Sequence, residues 1–96
     1  MAEEKRKFPR EATSVEVVYF IGGDGVREPE RIHYFGTVTD MSRGGARLLA
    51  EQPHRLHEHI WLQGLRGAAD VVPGQIRWVR GEDERYHLGV EFLNVT

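Results

Sequence analysis

The stretch Arg85-Tyr86-His87-Leu88-Gly89-Val90-Glu91-Phe92-Leu93 decides the fold. Successive side chains of an extended chain point to opposite faces, so Tyr86, Leu88, Val90 and Phe92 share one side and Arg85, His87 and Glu91 the other. Strict alternation of this kind marks a strand with one buried face. Immediately upstream, Gly81-Glu82-Asp83-Glu84 reads as an acidic hairpin turn and 71–80 as the strand that enters it. Pro73-Gly74 predicts a bulge or kink near the start of that strand. Ile76 and Trp78 are expected on its inward face, which makes Trp78 a wall residue and not a stacking platform. Farther upstream, 64–70 reads as a loop, 58–63 as a strand with Ile60 and Leu62 inward, and 51–57 as an irregular or 3₁₀ turn. Residues 46–50 form a short strand that Gln52-Pro53 ends, and 31–39 another with Ile32, Tyr34 and Val38 on one face. The first strand, 14–21, turns Val15, Val17, Tyr19 and Ile21 inward. Gly22-Gly23-Asp24-Gly25 is a turn by composition, and the polar 22–30 segment is assigned no function. Six short alternating runs without helical periodicity predict an all-β, six-stranded antiparallel barrel.

Ninety-six residues support one domain with its own core. The absence of cysteine excludes disulfides and thiolate metal sites. No apolar run approaches the roughly 20 residues that span a bilayer, so a soluble, cytoplasmic protein without membrane insertion is expected. A formal net charge of -2 argues against general nucleic-acid binding. The charge is uneven, however: Lys5, Arg6, Lys7 and Arg10 cluster in a polar leader that is otherwise nearly free of apolar residues. Residues 1–12 are therefore expected to form a flexible basic arm, pinned by Phe8 and kept extended there by Pro9, with 13–96 forming the barrel.

Asp40-Met41-Ser42-Arg43-Gly44-Gly45 separates two strand-like runs. Asp40 and Ser42 offer a carboxylate and a hydroxyl at alternate positions, which in extended backbone point the same way. Gly44 and Gly45 allow positive φ and close approach of a ligand to the main chain. The arm adds guanidinium groups, planar donor forks that suit phosphates and guanine edges. Together they point to a purine- or phosphate-binding surface. Taken alone, Asp and Ser beside Gly-Gly more commonly cap a turn.

Arg6-x-x-x-Arg10 followed by Asp40-x-Ser42-x-x-Gly45, with Gln75-Ile76-Arg77-Trp78-Val79-Arg80 and Tyr86-His87-Leu88-Gly89-Val90-Glu91-Phe92 behind them, resembles the PilZ domain family over nearly the whole chain. That resemblance implies a split-barrel fold and a receptor for cyclic di-GMP. It implies that Arg6 and Arg10 engage guanine and phosphate, that Asp40 and Ser42 contact the other guanine edge, and that Gly44 and Gly45 keep the turn open. The C-terminal helix common in the family is expected to be absent or vestigial, since Thr96 follows closely on Leu93. Without it, Val18, Phe20, Phe35 and Trp61 on the outer faces of their strands should form an apolar patch for a homodimer or a downstream partner.

No GxSxG, HExxH or P-loop pattern is present, so no catalytic residue is assigned and a binding module is favoured over an enzyme. His54, His57 and His59 lack a third ligand at fixed spacing, so no metal site and no cofactor are expected. His33 and His87 are read as outward strand residues. The expected mode of action is a receptor that orders its arm on binding and changes the surface offered to a partner. The alternative is a barrel of the same type that serves as an interaction adaptor without nucleotide.

Overall fold

The computed structural model describes residues 11–22, 32–67 and 70–93. The basic arm with Phe8, most of the 22–30 segment and the C-terminal residues 94–96 lie outside them. Six strands follow in order: β1 Glu11–Ile21, β2 His33–Met41, β3 Gly45–Ala50, β4 His59–Gln63, β5 Val71–Glu82 and β6 Arg85–Phe92. They close into an antiparallel barrel in the order β1-β2-β3-β6-β5-β4, with β4 returning to β1. Closure removes the free edges that an open sheet would present. No helix occurs among the described residues, and none is long and apolar enough to cross a membrane.

Alternation builds the core. Val17, Tyr19 and Ile21 of β1 meet Val38 of β2, Leu48 and Ala50 of β3, Ile60 and Leu62 of β4, Ile76 of β5 and Leu88, Val90 and Phe92 of β6 inside the barrel. Val15, Tyr34, Met41 and Tyr86 pack against this cluster. Its largest fully buried members, Tyr19, Val38, Leu48, Ile60, Leu62, Ile76 and Leu88, come from all six strands. Each such side chain removed from water stabilises the fold by about 1.5–3 kcal/mol.

Three expectations are corrected here. Ile32 precedes β2 and is 62% exposed, because β2 pairs with β1 only from His33 onward and the inward alternation begins at Tyr34. Pro73 and Gly74 pair regularly with Trp61 and Ile60, so the strand is not kinked there; the irregularity of β5 falls between Ile76 and Trp78. As a result Trp78 is not a wall residue: the additional residue, Arg77, turns the indole to the outer face.

The 51–58 connection is tied to β5 where His57 N–H donates to Ile76 O (2.7 Å) and Ile76 N–H to Glu58 O (2.9 Å). His54 reaches from it to the barrel interior, where its ring lies edge-on to Tyr19 and Tyr34 and its Nε2 is 2.9 Å from the Tyr19 hydroxyl.

Candidate functional site

The β2–β3 hairpin carries the motif expected from the sequence. Met41 pairs with Ala46 at its base, and Ser42 N–H donates to Gly45 O (2.8 Å) across the turn. Gly44 N–H donates to Ser42 Oγ at 3.3 Å, so the hydroxyl braces the turn two residues on. Gly44 O in turn accepts from Phe92 N–H (2.9 Å), which anchors the turn to the end of β6. Gly45 is buried, and a Cβ there would stand 2.3 Å from Val90 O. Its need for glycine is therefore a close approach to β6, and its φ is not in the left-handed region.

Two irregularities bring the chemistry together. Val38 pairs with Leu48 and Asp40 with Arg47, which leaves Thr39 as an additional residue in β2. Without it Asp40 would follow Val38 into the core; with it, Val38 and Met41 face in and Asp40 faces out. Arg77 does the same for Trp78 on β5. The two shifts line up a cross-strand row on the outer surface: Asp40 opposite Arg47, Arg47 opposite Gly89, Gly89 opposite Trp78. At the β1 side the row begins at Ala12, two residues past Arg10 in the chain.

The row is knit by charge and stacking. Arg47 Nε lies 3.6 Å from Asp40 Oδ2, and its guanidinium carbon lies 5.6 Å from the centre of the Trp78 ring. Trp78 sits over Gly89, where a Cβ would come 2.0 Å from the indole nitrogen. Asp40 is mostly covered, at 18% side-chain exposure, whereas the Arg47 side chain is 37% exposed and Trp78 is an exposed residue. Among the described residues, Thr39 Oγ1, Arg47 Nε and His87 Nδ1 are buried without a hydrogen-bond partner, on the adjacent strands β2, β3 and β6.

Neighbouring charges are partly neutralised. Arg77 donates to Gln75 Oε1 (2.9 Å) and lies 3.5 Å from a Glu91 carboxylate oxygen. An open recess next to the row, lined by Leu49, Glu82, Asp83, Arg85 and His87, presents two carboxylates and is the wrong sign for an anion. No group of three or more His, Cys, Asp or Glu side chains positioned to hold a metal occurs among the described residues.

Of the expected site residues, Asp40, Ser42, Gly44 and Gly45 come together on one hairpin. Arg6 and Arg10 lie outside the described residues. Arg47 and Trp78 join them on the outer surface, where alternation alone does not place Trp78. Trp78 left one trace in the sequence, since a glycine at 89 inside an otherwise regular strand marks a close approach; Arg47 left none.

The described residues thus form a closed antiparallel barrel that carries a polar, partly aromatic row beside a Gly-Gly hairpin. The PilZ domain family matches residues 4–96, and the chain belongs to that family. No curated protein matches the chain by sequence. Among solved structures it is similar to a MrkH–c-di-GMP complex from K. pneumonia, with a TM-score of 0.65 and 16% sequence identity. The similarity covers 96% of this chain and 46% of that one, so this chain spans about half the length of its structural relative.

Proposed function

We propose that the chain is a cyclic di-GMP receptor that acts by binding and not by turnover. The observation that carries this reading is the row Asp40, Arg47, Gly89, Trp78, which two strand irregularities turn outward beside the family motif. A carboxylate accepts from guanine N1–H and its exocyclic amine, and adenine lacks this pattern of donors. An exposed indole offers a face on which a base can stack, a contact worth about 1–3 kcal/mol in nucleic-acid complexes. Arg6 and Arg10 supply the forks for guanine and phosphate from the arm. Membership in the PilZ family and the c-di-GMP bound in the MrkH structure support the same ligand.

In this reading the ligand orders the arm against the barrel, changing the surface seen by a partner. That surface is aromatic on the far side of β1: Phe20 contacts His33 and His33 contacts Phe35 through edge-on rings, Val18 pairs with Phe35, and Phe20 pairs with Trp61. Phe35 is 69% exposed, and the strip is where a downstream protein or a second copy would dock.

Calorimetric titration with cyclic di-GMP, with GTP and cyclic di-AMP as controls, tests the reading. Saturable binding of cyclic di-GMP alone is expected. Arg6→Ala, Arg10→Ala and Asp40→Ala should each weaken it tenfold to a hundredfold, about 1–3 kcal/mol. Parental affinity in both arginine variants would overturn the site assignment. Amide exchange over residues 2–11, with and without ligand, tests the ordering of the arm, and equal exchange in both states would remove that step.

A further inference from the structure

We propose that Arg47 is a further ligand-binding residue of this surface, orienting Asp40 through its Nε and presenting its guanidinium, packed on Trp78, to an anionic ligand on the row. The inference rests on the cyclic di-GMP reading above.

Arg47 stands outside the family motif, two residues beyond Gly45, in the middle of β3. Its position in the row is central, opposite Asp40 on one side and Gly89 on the other. Its side chain takes no part in the core cluster. Its Nε is buried and 3.6 Å from Asp40 Oδ2, close enough for an ion pair but beyond hydrogen-bond distance. Its guanidinium carbon is 5.6 Å from the Trp78 ring centre, within cation–π range. A lone ion pair does not by itself explain this placement, because such a pair needs no aromatic neighbour.

The geometry has two separable consequences. The carboxylate of Asp40 can meet two parallel N–H donors of guanine only if its plane is set, and the cationic Nε 3.6 Å away pulls on Oδ2. This is a positioning role, read in base selectivity. The rest of the guanidinium remains in a side chain that is 37% exposed, beside the row where a dianionic ligand would lie. This is a charge role, read in affinity and salt dependence. Lysine retains the charge but has no Nε and no plane, so it separates the two.

Titrations of the full chain, Arg47→Gln and Arg47→Lys with cyclic di-GMP and cyclic di-AMP, at low and at physiological salt, form the test. Arg47→Gln is expected to lose at least tenfold in affinity for cyclic di-GMP and to show a shallower dependence on salt. Arg47→Lys should retain the parental salt dependence while losing discrimination against cyclic di-AMP. Both results require thermal melts like the parent's, which separate loss of the site from loss of the fold. Parental affinity and selectivity in both variants, with Asp40→Ala impaired, would overturn the role of Arg47 and leave the receptor reading standing. Failure of the parent chain itself to bind cyclic di-GMP would overturn both.

Discussion

The indole of Trp78 occupies the space in which a side chain at position 89 would stand: a Cβ on Gly89 would lie 2.0 Å from Trp78 Nε1 and 2.2 Å from Cε2. Strand β6 thus contributes to the row by having nothing there, and β5 contributes by shifting its register so that the ring falls on the gap. Gly89→Ala should expel the ring, at a cost of about 1–3 kcal/mol in stability if the neighbours cannot give way. In a Trp61→Phe background, a shift in the emission of Trp78 would report the displacement. Cyclic di-GMP affinity should fall with it. An unchanged spectrum and unchanged affinity would show that the ring's seat on Gly89 plays no part in the site.

Ser42 and Gly45 belong to one motif but should fail differently. A Cβ at Gly45 meets a backbone carbonyl, Val90 O, which cannot swing aside as a side chain can. Gly45→Ala should therefore destabilise the barrel by about 2 kcal/mol or more, and any loss of ligand would follow from that. Ser42 Oγ accepts one long hydrogen bond, 3.3 Å from Gly44 N, so Ser42→Ala should cost only about 0.5–1 kcal/mol. Denaturant melts beside titrations separate the two. A tenfold loss of affinity in Ser42→Ala with near-parental stability would assign its hydroxyl to the ligand as well as to the turn.

The barrel was legible because period-two patterning is decided residue by residue along each strand. Tyr86, Leu88, Val90 and Phe92 read inward and are inward, as are Ile60 and Leu62. The row was not legible, because a one-residue bulge reverses the alternation after it and has no composition of its own. Thr39 and Arg77 are ordinary strand residues in the sequence, yet each determines which way its successor points. Hence unbroken alternation places Trp78 in the wall, and Arg47, which is set apart only by its cross-strand neighbours, carries no mark in the sequence. The motif residues Asp40, Ser42, Gly44 and Gly45 were visible because they are contiguous. That Gly45 is fixed by packing against Val90 depends on a strand pairing 45 residues away in the chain.

The β5–β6 hairpin holds two acidic residues in the left-handed region, Asp83 at φ 53° and Glu84 at φ 65°, between the paired Glu82 and Arg85. Two-residue hairpins with positive φ at both central positions favour Asn-Gly. A residue with a Cβ loses about 1–2 kcal/mol in this conformation, part of which glycine gives back as greater freedom in the unfolded chain. Glu84→Gly should thus stabilise the barrel by about 0.5–1 kcal/mol, read as a higher denaturant midpoint with unchanged slope. Its titration with cyclic di-GMP should match the parent's, since the hairpin lies outside the row. A lower midpoint would mean that the Glu84 side chain makes a contact stronger than its backbone strain.

Stability should depend on pH through one hydrogen bond at the barrel end. His54 Nε2 lies 2.9 Å from the Tyr19 hydroxyl, from which neutral His54 accepts in the tautomer protonated on Nδ1, while the ring is held against Tyr19 and Tyr34. Burial lowers the His54 pKa, a shift that the nearby Glu58 carboxylate opposes only in part. Burial first, then Tyr34 and Glu51, raises the Tyr19 pKa far above its usual range. For His54 the unfolded chain holds the extra proton between the ordinary histidine value, about 6.5, and the lower folded value. Stability therefore falls as pH drops through about 6.5, and this loss levels off once pH is below the folded value. For Tyr19 the unfolded chain gives up its proton first, so stability falls again as pH rises beyond about 10. Between the two limits these groups leave stability flat. Urea unfolding from pH 5 to 11 would trace the plateau, and His54→Gln, which keeps an acceptor but cannot be protonated, should remove the His54 share of the acid loss. The other four histidines are common to both proteins, so the difference between the curves isolates His54. Identical acid limbs in parent and variant would show that the loss arises elsewhere and that His54 titrates as freely in the barrel as in the unfolded chain.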